Sequence, residues 1–399
     1  MAVGKFHNLA QGAGGETIRK PSSNSNIIAG NVGGAALYMY LESIDSKQQL
    51  FATAATTPHN FTKIVSNVFG QYWALDTDNK LWRFSPTDNG FSSYSLVSSW
   101  TQFGTDTDWE DISAGLYHFM AIKSGELYAM GYNPYGQCGF GSTTYYTSLT
   151  QVGAATDWAM IECGNDFSVA VKTDGTLYSC GRNSQGRTGL GTTSGSTLSF
   201  TQVGSYTNVL AVSCCENQFL FIEAANDTDD HGAVYGTGYN GANSMGFATT
   251  GTRTSPAITT ITTGATSIGA GANRSIVVKD GDLYMAGYDT GMIYWTSTSS
   301  GSKISGFVKD NNTDGDFEKV WGEGTSQNTY HALVKKNGKH YLLALPNHAY
   351  MLNNQTTTLI GSQATAVEDW SFFSDNSLTV SNVYLAYSPG GKTLFISLT

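Results

Sequence analysis

The densest group of oxygen-bearing side chains lies late in the chain, where carboxylates and amides alternate as they do in calcium-binding loops. Its candidate ligands are Asp310, Asn312, Asp314 and Asp316. Loops of this kind place a bidentate glutamate at their twelfth position, but Trp321 stands there. We therefore favour a solvated turn and keep a weak Ca²⁺ site as the alternative.

The cysteines do not predict a zinc site or a disulfide framework. Their number, 5, is odd, and no Cys-x-x-Cys pair occurs. They align with small residues in other copies of a repeat described below, which predicts that they pack in a core. They are Cys138, Cys163, Cys180, Cys214 and Cys215.

The sequence also lacks the motifs that build the common catalytic sites. It contains no nucleophile elbow, no His-Glu-x-x-His pair and no phosphate-binding loop, and the glycines at 12–15 have no lysine beside them. His118 has no catalytic partner that the sequence can assign. We expect a protein that is not an enzyme and that needs no cofactor.

The elements that would position any site are short strands, repeated with a period of about fifty residues. The phrase Thr-Gln-x-Gly begins at Thr101, Thr150 and Thr201. Apolar runs around Asp-Gly or Ser-Gly predict β-hairpins, because glycine tolerates the positive φ of a two-residue turn. Hairpin cores are predicted near 36–51, 74–81, 119–128, 168–178, 219–235, 275–284, 332–341 and 384–395.

This repeat predicts an all-β propeller. A unit of about fifty residues fits one four-stranded blade, and a closed ring removes the exposed edges of an open array. We expect a single closed β-propeller of seven or eight four-stranded blades over 27–399. Residues 1–26 show no strand alternation and are expected to form an arm. It is either a frayed terminus or a docking arm that orders through Phe6, Leu9 and Ile18.

The repeat also resembles one known family. The phrases Trp-x-x-Ile and Asp-Gly-x-Leu-Tyr, with the glycine-rich loops at 133–141 and 183–191, resemble the repeat of the chromosome-condensation-regulator propellers. That resemblance implies a propeller, usually of seven blades. Members that act as exchange factors on chromatin carry a basic N-terminal tail, whereas this arm has only Lys5, Arg19 and Lys20. The resemblance covers the scaffold but not that partner surface.

Composition limits the partners. The formal net charge is −10, and only 13% of the residues are charged, so the chain has few cations with which to neutralise phosphates. We expect no nucleic-acid surface and no anionic-membrane surface. The sequence shows neither a signal peptide nor a run of about eighteen apolar residues, and we expect no membrane insertion.

The candidate binding residues are aromatic side chains set among small polar ones, a mixture typical of adaptable interfaces. They are Tyr132, Tyr135, Tyr145, Tyr146, Tyr294 and Trp295. The alternative is that half of them pack against the neighbouring blade. Those that are exposed would bind protein or glycan.

These observations favour a non-enzymatic structural or adhesive protein. The main hypothesis is a virion component of a tailed bacteriophage, made in the host cytoplasm, such as a tail, fibre or capsid-decoration subunit. Its partners would be other virion or structural proteins, or a glycan or protein on the host surface. The alternatives are a soluble propeller that inhibits or adapts a protein partner, and a glycan-binding lectin.

Overall fold

A computed structural model describes most of the repeat region. It covers residues 37–41, 49–53, 61–67, 71–85, 97–271, 273–288, 303–309, 315–326, 329–344, 380–388 and 391–398. The predicted arm, with Phe6, Leu9 and Ile18, lies outside these residues, as do Tyr294 and Trp295. Within the described ranges, no helix has the length and apolar character needed to cross a bilayer.

The described strands form seven units of antiparallel sheet. Sheet 1 contains β1 (Leu37–Leu41), β2 (Gln49–Thr53), β26 (Val380–Ser388) and β27 (Gly391–Leu398). Sheet 2 contains β3 (Phe61–Ser66), β4 (Tyr72–Asp76), β5 (Leu81–Ser85) and β6 (Val97–Gln102). Sheet 3 contains β7 (Trp109–Ala114), β8 (His118–Lys123), β9 (Glu126–Gly131) and β10 (Tyr146–Gln151).

The remaining sheets repeat this order. Sheet 4 contains β11 (Trp158–Cys163), β12 (Phe167–Lys172), β13 (Leu177–Arg182) and β14 (Ser196–Gln202). Sheet 5 contains β15 (Val209–Cys214), β16 (Gln218–Ala224), β17 (Gly232–Asn240) and β18 (Gly251–Ile258). Sheet 6 contains β19 (Ala265–Ala270), β20 (Arg274–Lys279), β21 (Asp282–Tyr288) and β22 (Lys303–Lys309). Sheet 7 contains β23 (Phe317–Ser326), β24 (Thr329–Lys336) and β25 (Lys339–Ala344).

Each sheet follows the order of its strands along the chain, except at two places. Sheets 5 and 6 are joined by one residue pair, Gly232 with Ala265. In sheet 1 the order is β2-β1-β27-β26, so strands from both ends of the described chain pair side by side. The predicted cores at 36–51 and 384–395 therefore belong to one sheet, and eight hairpins make seven units.

The first strands of successive sheets lie next to one another. β3 contacts β7, β7 contacts β11, β11 contacts β15, and the series continues through β19 to β23. β26 takes this place in sheet 1, where it contacts both β3 and β24. The described sheets thus follow one another in the radial arrangement of a β-propeller.

The hydrophobic core lies between consecutive sheets. Trp109 and Trp158, which occupy one repeat position, are buried, and each contributes on the order of 1.5–3 kcal/mol. Lys123 and Lys172 cover these two rings, with their ammonium nitrogens 5.4 Å and 5.2 Å from the ring centroids. In sheets 3 and 4, the lysine that ends the apolar second strand therefore covers the aromatic core below it.

Two structural constraints, a positive φ and a close backbone contact, require glycine in the hairpin turns of sheets 3 and 4. Gly125 and Gly175 have φ of +73° and +76°, as their turns require. The link to the next sheet also crosses directly over each of them. A Cβ would lie 2.2 Å from the carbonyl oxygen of Thr156 at the first position and 2.0 Å from that of Thr207 at the second. These turns hold neighbouring sheets together as well as reversing the chain.

Side chains of one first strand bind the exposed backbone edge of the next. The register between the first two strands of each sheet shifts around the second residue of the first strand, as between Trp109 and Asp111. Such a bulge redirects the side chains that follow it. Four side-chain oxygens then accept backbone N–H groups of the next sheet at 2.9 to 3.1 Å, in the pairs Asp111 with Ile161, Ser113 with Cys163, Ser213 with Ala270 and Ser267 with Val320.

Candidate functional site

One end of the sheets collects most of the predicted aromatic residues. Because the strands are antiparallel, turns between first and second strands and loops between third and fourth strands emerge on the same side. We call this surface the tyrosine face. In sheets 3 to 5 it is formed by Tyr117, Tyr132, Tyr135, Tyr145, Arg182 and Tyr239.

In sheets 3 to 5, a Gly-x-Asn triplet at the end of the third strand builds this face. The glycines, Gly131, Gly181 and Gly238, have φ between +105° and +113°. At Gly131 a Cβ would lie 2.4 Å from the carbonyl oxygen of Tyr117, so only glycine fits the backbone there. The middle residues are Tyr132, Arg182 and Tyr239, whose backbone N–H groups donate to Tyr117, Asp166 and Asn217.

The asparagine of each triplet holds the loop that follows. Asn133 is buried; its Oδ1 accepts the N–H of Cys138, and its Nδ2 donates to the carbonyls of Ser142 and Thr144. Asn183 and Asn240 make equivalent bonds in the next two sheets. The loops are therefore fixed by buried amides, and the face is a preorganised surface.

Each loop is also anchored to the next sheet. Gly136 has φ of +77° and a Cβ there would lie 2.5 Å from the Cα of Leu198, in the outer strand β14. The N–H of Gly141 donates to the carbonyl of Leu198 at 2.8 Å, and Phe140 forms a bridge with Ser199. The glycine-rich loops that the sequence showed therefore hold neighbouring blades together.

The predicted tyrosines differ in their surroundings. Tyr132 and Tyr145 are 42% and 38% exposed, and Tyr132 meets Tyr117 edge to face with ring centroids 5.9 Å apart. Tyr135 is half-buried beneath the guanidinium of Arg182, at 4.8 Å. Tyr146 is half-buried and stacks on Phe140 at 3.8 Å. The structure brings these four residues onto one part of the surface, with Tyr132 and Tyr145 as its exposed members.

A small charged cluster adjoins the tyrosines. Asp166 lies 3.3 Å from Arg182 and 3.9 Å from Arg187, which is buried. Burial, together with the nearby charge of Arg182, lowers the pKa of Arg187 to about 10. Burial raises the pKa of Glu216 to about 7, against the attraction of Arg187. Near neutral pH, the charge on this part of the face is therefore weakly positive.

His118 and the cysteines, which the sequence singled out as possible sites of chemistry, are buried. Burial lowers the pKa of His118 to about 3, so its ring is neutral, and its Nε2 lies 2.8 Å from Ser168 Oγ. All 5 cysteines are buried, as the sequence predicts, and burial raises the pKa of Cys163 to about 12. The described residues contain no cluster of histidine, cysteine and carboxylate side chains that would hold a metal ion.

Most of the predicted calcium loop lies outside the residues that the structure describes. Asp310, Asn312 and Asp314 are not among the described residues. Asp316 is exposed, has φ of +78° and immediately precedes the buried Phe317 at the start of β23. The loop therefore stays a prediction.

The opposite end of the sheets, which we call the acidic face, carries most of the carboxylates among the described residues. Its members include Asp78, Asp106, Asp108, Glu110, Asp174, Asp227, Asp229, Asp230, Asp280 and Asp316. Some of them pair with lysines, as Asp106 does with Lys123 at 3.0 Å. The two faces therefore differ in charge, since the tyrosine face has few carboxylates in the described residues.

A charged cluster on the first strands has no counterpart in the sequence predictions. Lys63 lies 3.0 Å from Asp111 and 3.1 Å from Glu162, so one ammonium joins sheets 2, 3 and 4. Burial opposes the charge of Lys63, yet the two carboxylates raise its pKa. Lys63 and Asp111 occupy one repeat position, where sheets 4 and 5 carry Met160 and Ala211, and that irregularity was the available signal.

The sequence analysis also failed to predict two residues of the tyrosine face. Tyr239 is 43% exposed, and Arg182 presents 40% of its side chain. Both occupy the position of Tyr132 between glycine and asparagine. Aligning the triplets Gly131-Tyr132-Asn133, Gly181-Arg182-Asn183 and Gly238-Tyr239-Asn240 would have found them.

Comparison with known proteins agrees with this architecture. Residues 124–171 and 161–187 match two family models, both described as the regulator of chromosome condensation (RCC1) repeat. The resemblance seen in the sequence is thereby confirmed for these blades.

Solved propellers of this type share the fold across the chain. Yeast RCC1 (Prp20), in its complex with Kap60, superposes with a TM-score of 0.68 at 16% identity, covering 92% of this chain and 90% of that one. Human WBSCR16 gives a TM-score of 0.66 at 14% identity, covering 92% and 99%. Prp20p from Saccharomyces cerevisiae gives 0.65 at 15% identity, covering 91% of each chain. At these identities the likeness shows the fold, and the chain is an RCC1-like β-propeller.

Proposed function

We propose that this chain is a non-enzymatic protein-binding propeller that works as a soluble adaptor or inhibitor, with the tyrosine face as its contact surface. The observation that carries the proposal is the set of exposed tyrosines, Tyr132, Tyr145 and Tyr239, on loops fixed by buried asparagines. Rigid, amphipathic tyrosines lose little conformational entropy on binding and are enriched at protein interfaces.

Proteins of similar structure support a protein partner for this chain. Yeast RCC1 is described bound to Kap60, and Prp20p with binding properties to Gsp1p and histones. Those partners belong to the yeast proteins. What carries over to this chain is the use of an RCC1-like propeller as a scaffold for protein contacts, and the partner itself has to be found by experiment.

The virion hypothesis gains no support from these comparisons, and the adaptor or inhibitor alternative is the nearer one. Glycan binding likewise gains no support from these comparisons. The molecule that binds the tyrosine face distinguishes the three hypotheses. A host protein at fixed stoichiometry would support an adaptor or inhibitor, a virion protein would support the virion hypothesis, and a saccharide would support a lectin.

The test is affinity capture with the full chain from an extract of its source cell, followed by analysis of the stoichiometry. We expect one protein to be retained by the wild type and by Ile258→Ser, an exposed residue at the other end of β18. The double variant Tyr132→Ser with Tyr239→Ser should lose it. Equal retention by all three proteins would overturn the assignment of the face, and a captured virion protein would restore the virion hypothesis.

A further inference from the structure

The side chains of the middle residues in the Gly-x-Asn triplets do not hold the loops. In sheets 3 to 5 the glycine provides the backbone conformation and the asparagine holds the loop, while the residue between them donates its backbone N–H and places its side chain among surface contacts, such as that of Tyr132 with Tyr117. Those residues are Tyr132, Arg182 and Tyr239, and they recur at one position on three consecutive sheets. A position that the fold leaves open, yet fills with large side chains, is suited to recognition.

We infer that Tyr132, Arg182 and Tyr239 form one recognition row, and that the row binds an acidic protein segment whose carboxylates lie beside apolar or aromatic side chains. This inference rests on the proposed function and names the partner's chemistry. Each member of the row would contact a different part of the segment, since each belongs to a different blade.

Charge complementarity favours an acidic partner. Asp166, the carboxylate paired with Arg182, is mostly covered, whereas Arg182 presents 40% of its side chain. The acidic face lies at the other end of the sheets and would repel such a segment, so the charge distribution also orients it.

Hydrogen-bonding capacity points the same way. Among the described residues, the hydroxyls of Tyr132 and Tyr135 make no hydrogen bond, whereas the phenol of Tyr239 lies against the backbone of Gly241. A phenol hydroxyl donates well to a carboxylate, and the ring beside it offers apolar area to a neighbouring side chain. Tyrosines on either side of an arginine therefore suit a segment that mixes acidic and apolar groups.

The experiment uses the full chain as bait for a displayed library of random peptides, and the best selected peptide is then synthesised and titrated. We expect enrichment of aspartate and glutamate next to apolar residues. Affinity should fall about tenfold in Tyr132→Ala, in Tyr239→Ala and in Arg182→Gln, and further in Arg182→Glu. It should also fall as NaCl is raised, because the attraction is screened.

The controls separate this inference from the proposed function. Ile258→Ala should bind like the wild type, and thermal unfolding of every variant shows whether its fold is intact. Peptides that need the two tyrosines but tolerate Arg182→Glu would overturn the acidic-partner inference and leave the protein-binding face standing. If no variant of the recognition row changes the affinity for the selected peptides, or if no peptide is enriched, both the acidic-partner inference and the protein-binding face would be overturned. Self-association of the chain, abolished by Arg182→Glu, would instead identify the acidic face of a second copy as the partner.

Discussion

At the scale of single residues, the most consequential group is the ammonium of Lys63 between Asp111 and Glu162. Ser113 Oγ donates to Glu162 Oε2 at 3.3 Å, and Asp111 Oδ2 accepts the N–H of Ile161 at 3.0 Å. The cluster therefore links ion pairs to the backbone bonds between sheets. Removing Lys63 takes away the ion-pair partner that Asp111 and Glu162 share, at a place that solvent reaches only in part.

We predict that Lys63→Met destabilises the protein by about 2–3 kcal/mol, somewhat less than for a fully buried pair because the side chains are partly exposed. Adding Glu162→Gln should recover part of this loss, since one carboxylate then remains. Urea unfolding measures both. Lys80→Met removes an ion pair of similar length, 2.9 Å from Asp78, at an exposed site and serves as the control. Equal effects of the two lysine variants would show that the cluster contributes little.

Glu216 allows a prediction about pH. Its pKa is raised from 4.5 to about 7 by burial, against the attraction of Arg187. The folded protein therefore binds a proton that the unfolded chain releases between these values, and the free energy of unfolding falls as pH rises through that window. We expect Glu216→Gln to be about 1–2 kcal/mol more stable than the wild type near pH 8 and equal to it near pH 4.

The measurement is urea unfolding at both pH values. Glu110→Gln is the matched control, because Glu110 is exposed and a glutamine there still accepts the N–H of Gly125. It should show no gain that depends on pH. A Glu216→Gln variant with the same stability difference at both values would mean that the carboxyl group titrates as it does in the unfolded chain.

At the scale of elements, the sequence repeat predicted the β-hairpins, which depend on neighbouring residues. It did not predict the strand pairing between residues that are far apart in the chain. Alternating apolar residues around Asp-Gly indicate hairpins, and their Trp and Lys positions form the same core contact in successive sheets. The pairing of β1 with β27 joins segments at opposite ends of the chain, which no local pattern reveals. For that reason the sequence left the choice between seven and eight blades open.

The candidate site also contains residues that the sequence predicted and residues that it did not. Tyr132 and Tyr145 stood out as aromatic residues among polar ones, and they are exposed. Arg182 and Tyr239 did not, because their roles come from a repeat position and not from local composition. Phe140 and Tyr146 stack on each other, and only the three-dimensional course of the loop shows this.

The glycine-rich loops lead to a prediction about packing between blades. Gly136 and Gly153 both have positive φ, +77° and +65°. A Cβ at Gly136 would lie 2.5 Å from the Cα of Leu198, whereas nothing lies within 4 Å of one at Gly153. We expect Gly153→Ala to cost about 1 kcal/mol for its backbone conformation alone, and Gly136→Ala about 2–4 kcal/mol because β14 must also move.

Urea unfolding of the two variants isolates the contact with the next sheet, since the conformational cost is shared. The larger loss at Gly136 should be accompanied by weaker binding at the tyrosine face, because Tyr135 is the residue before this glycine. Equal losses in the two variants would show that β14 yields easily and that the loop does not fasten the blades.

At the scale of the whole molecule, charge is separated between the two ends of the sheets. The sequence gives a net charge of −10, but only the topology shows that the carboxylates gather on the hairpin turns and links of one face. Asp227, Asp229 and Asp230 lie on one hairpin insertion between β16 and β17, and all three are on or near the surface. Lysines offset some of these charges, yet exposed pairs of this kind contribute little to stability.

Repulsion within the acidic face therefore predicts that salt stabilises the fold. Raising NaCl from about 10 mM to about 300 mM shortens the screening length several-fold, and we expect the unfolding temperature to rise by about 2–5 °C. The triple variant Asp227→Asn, Asp229→Asn and Asp230→Asn should start from a higher unfolding temperature at low salt and gain less from added NaCl. Calorimetry of both proteins across the salt series measures these differences. An unfolding temperature that falls with salt would mean that attraction in pairs such as Lys123 with Asp106 outweighs the repulsion, because screening weakens both and the sign of the change reports the larger.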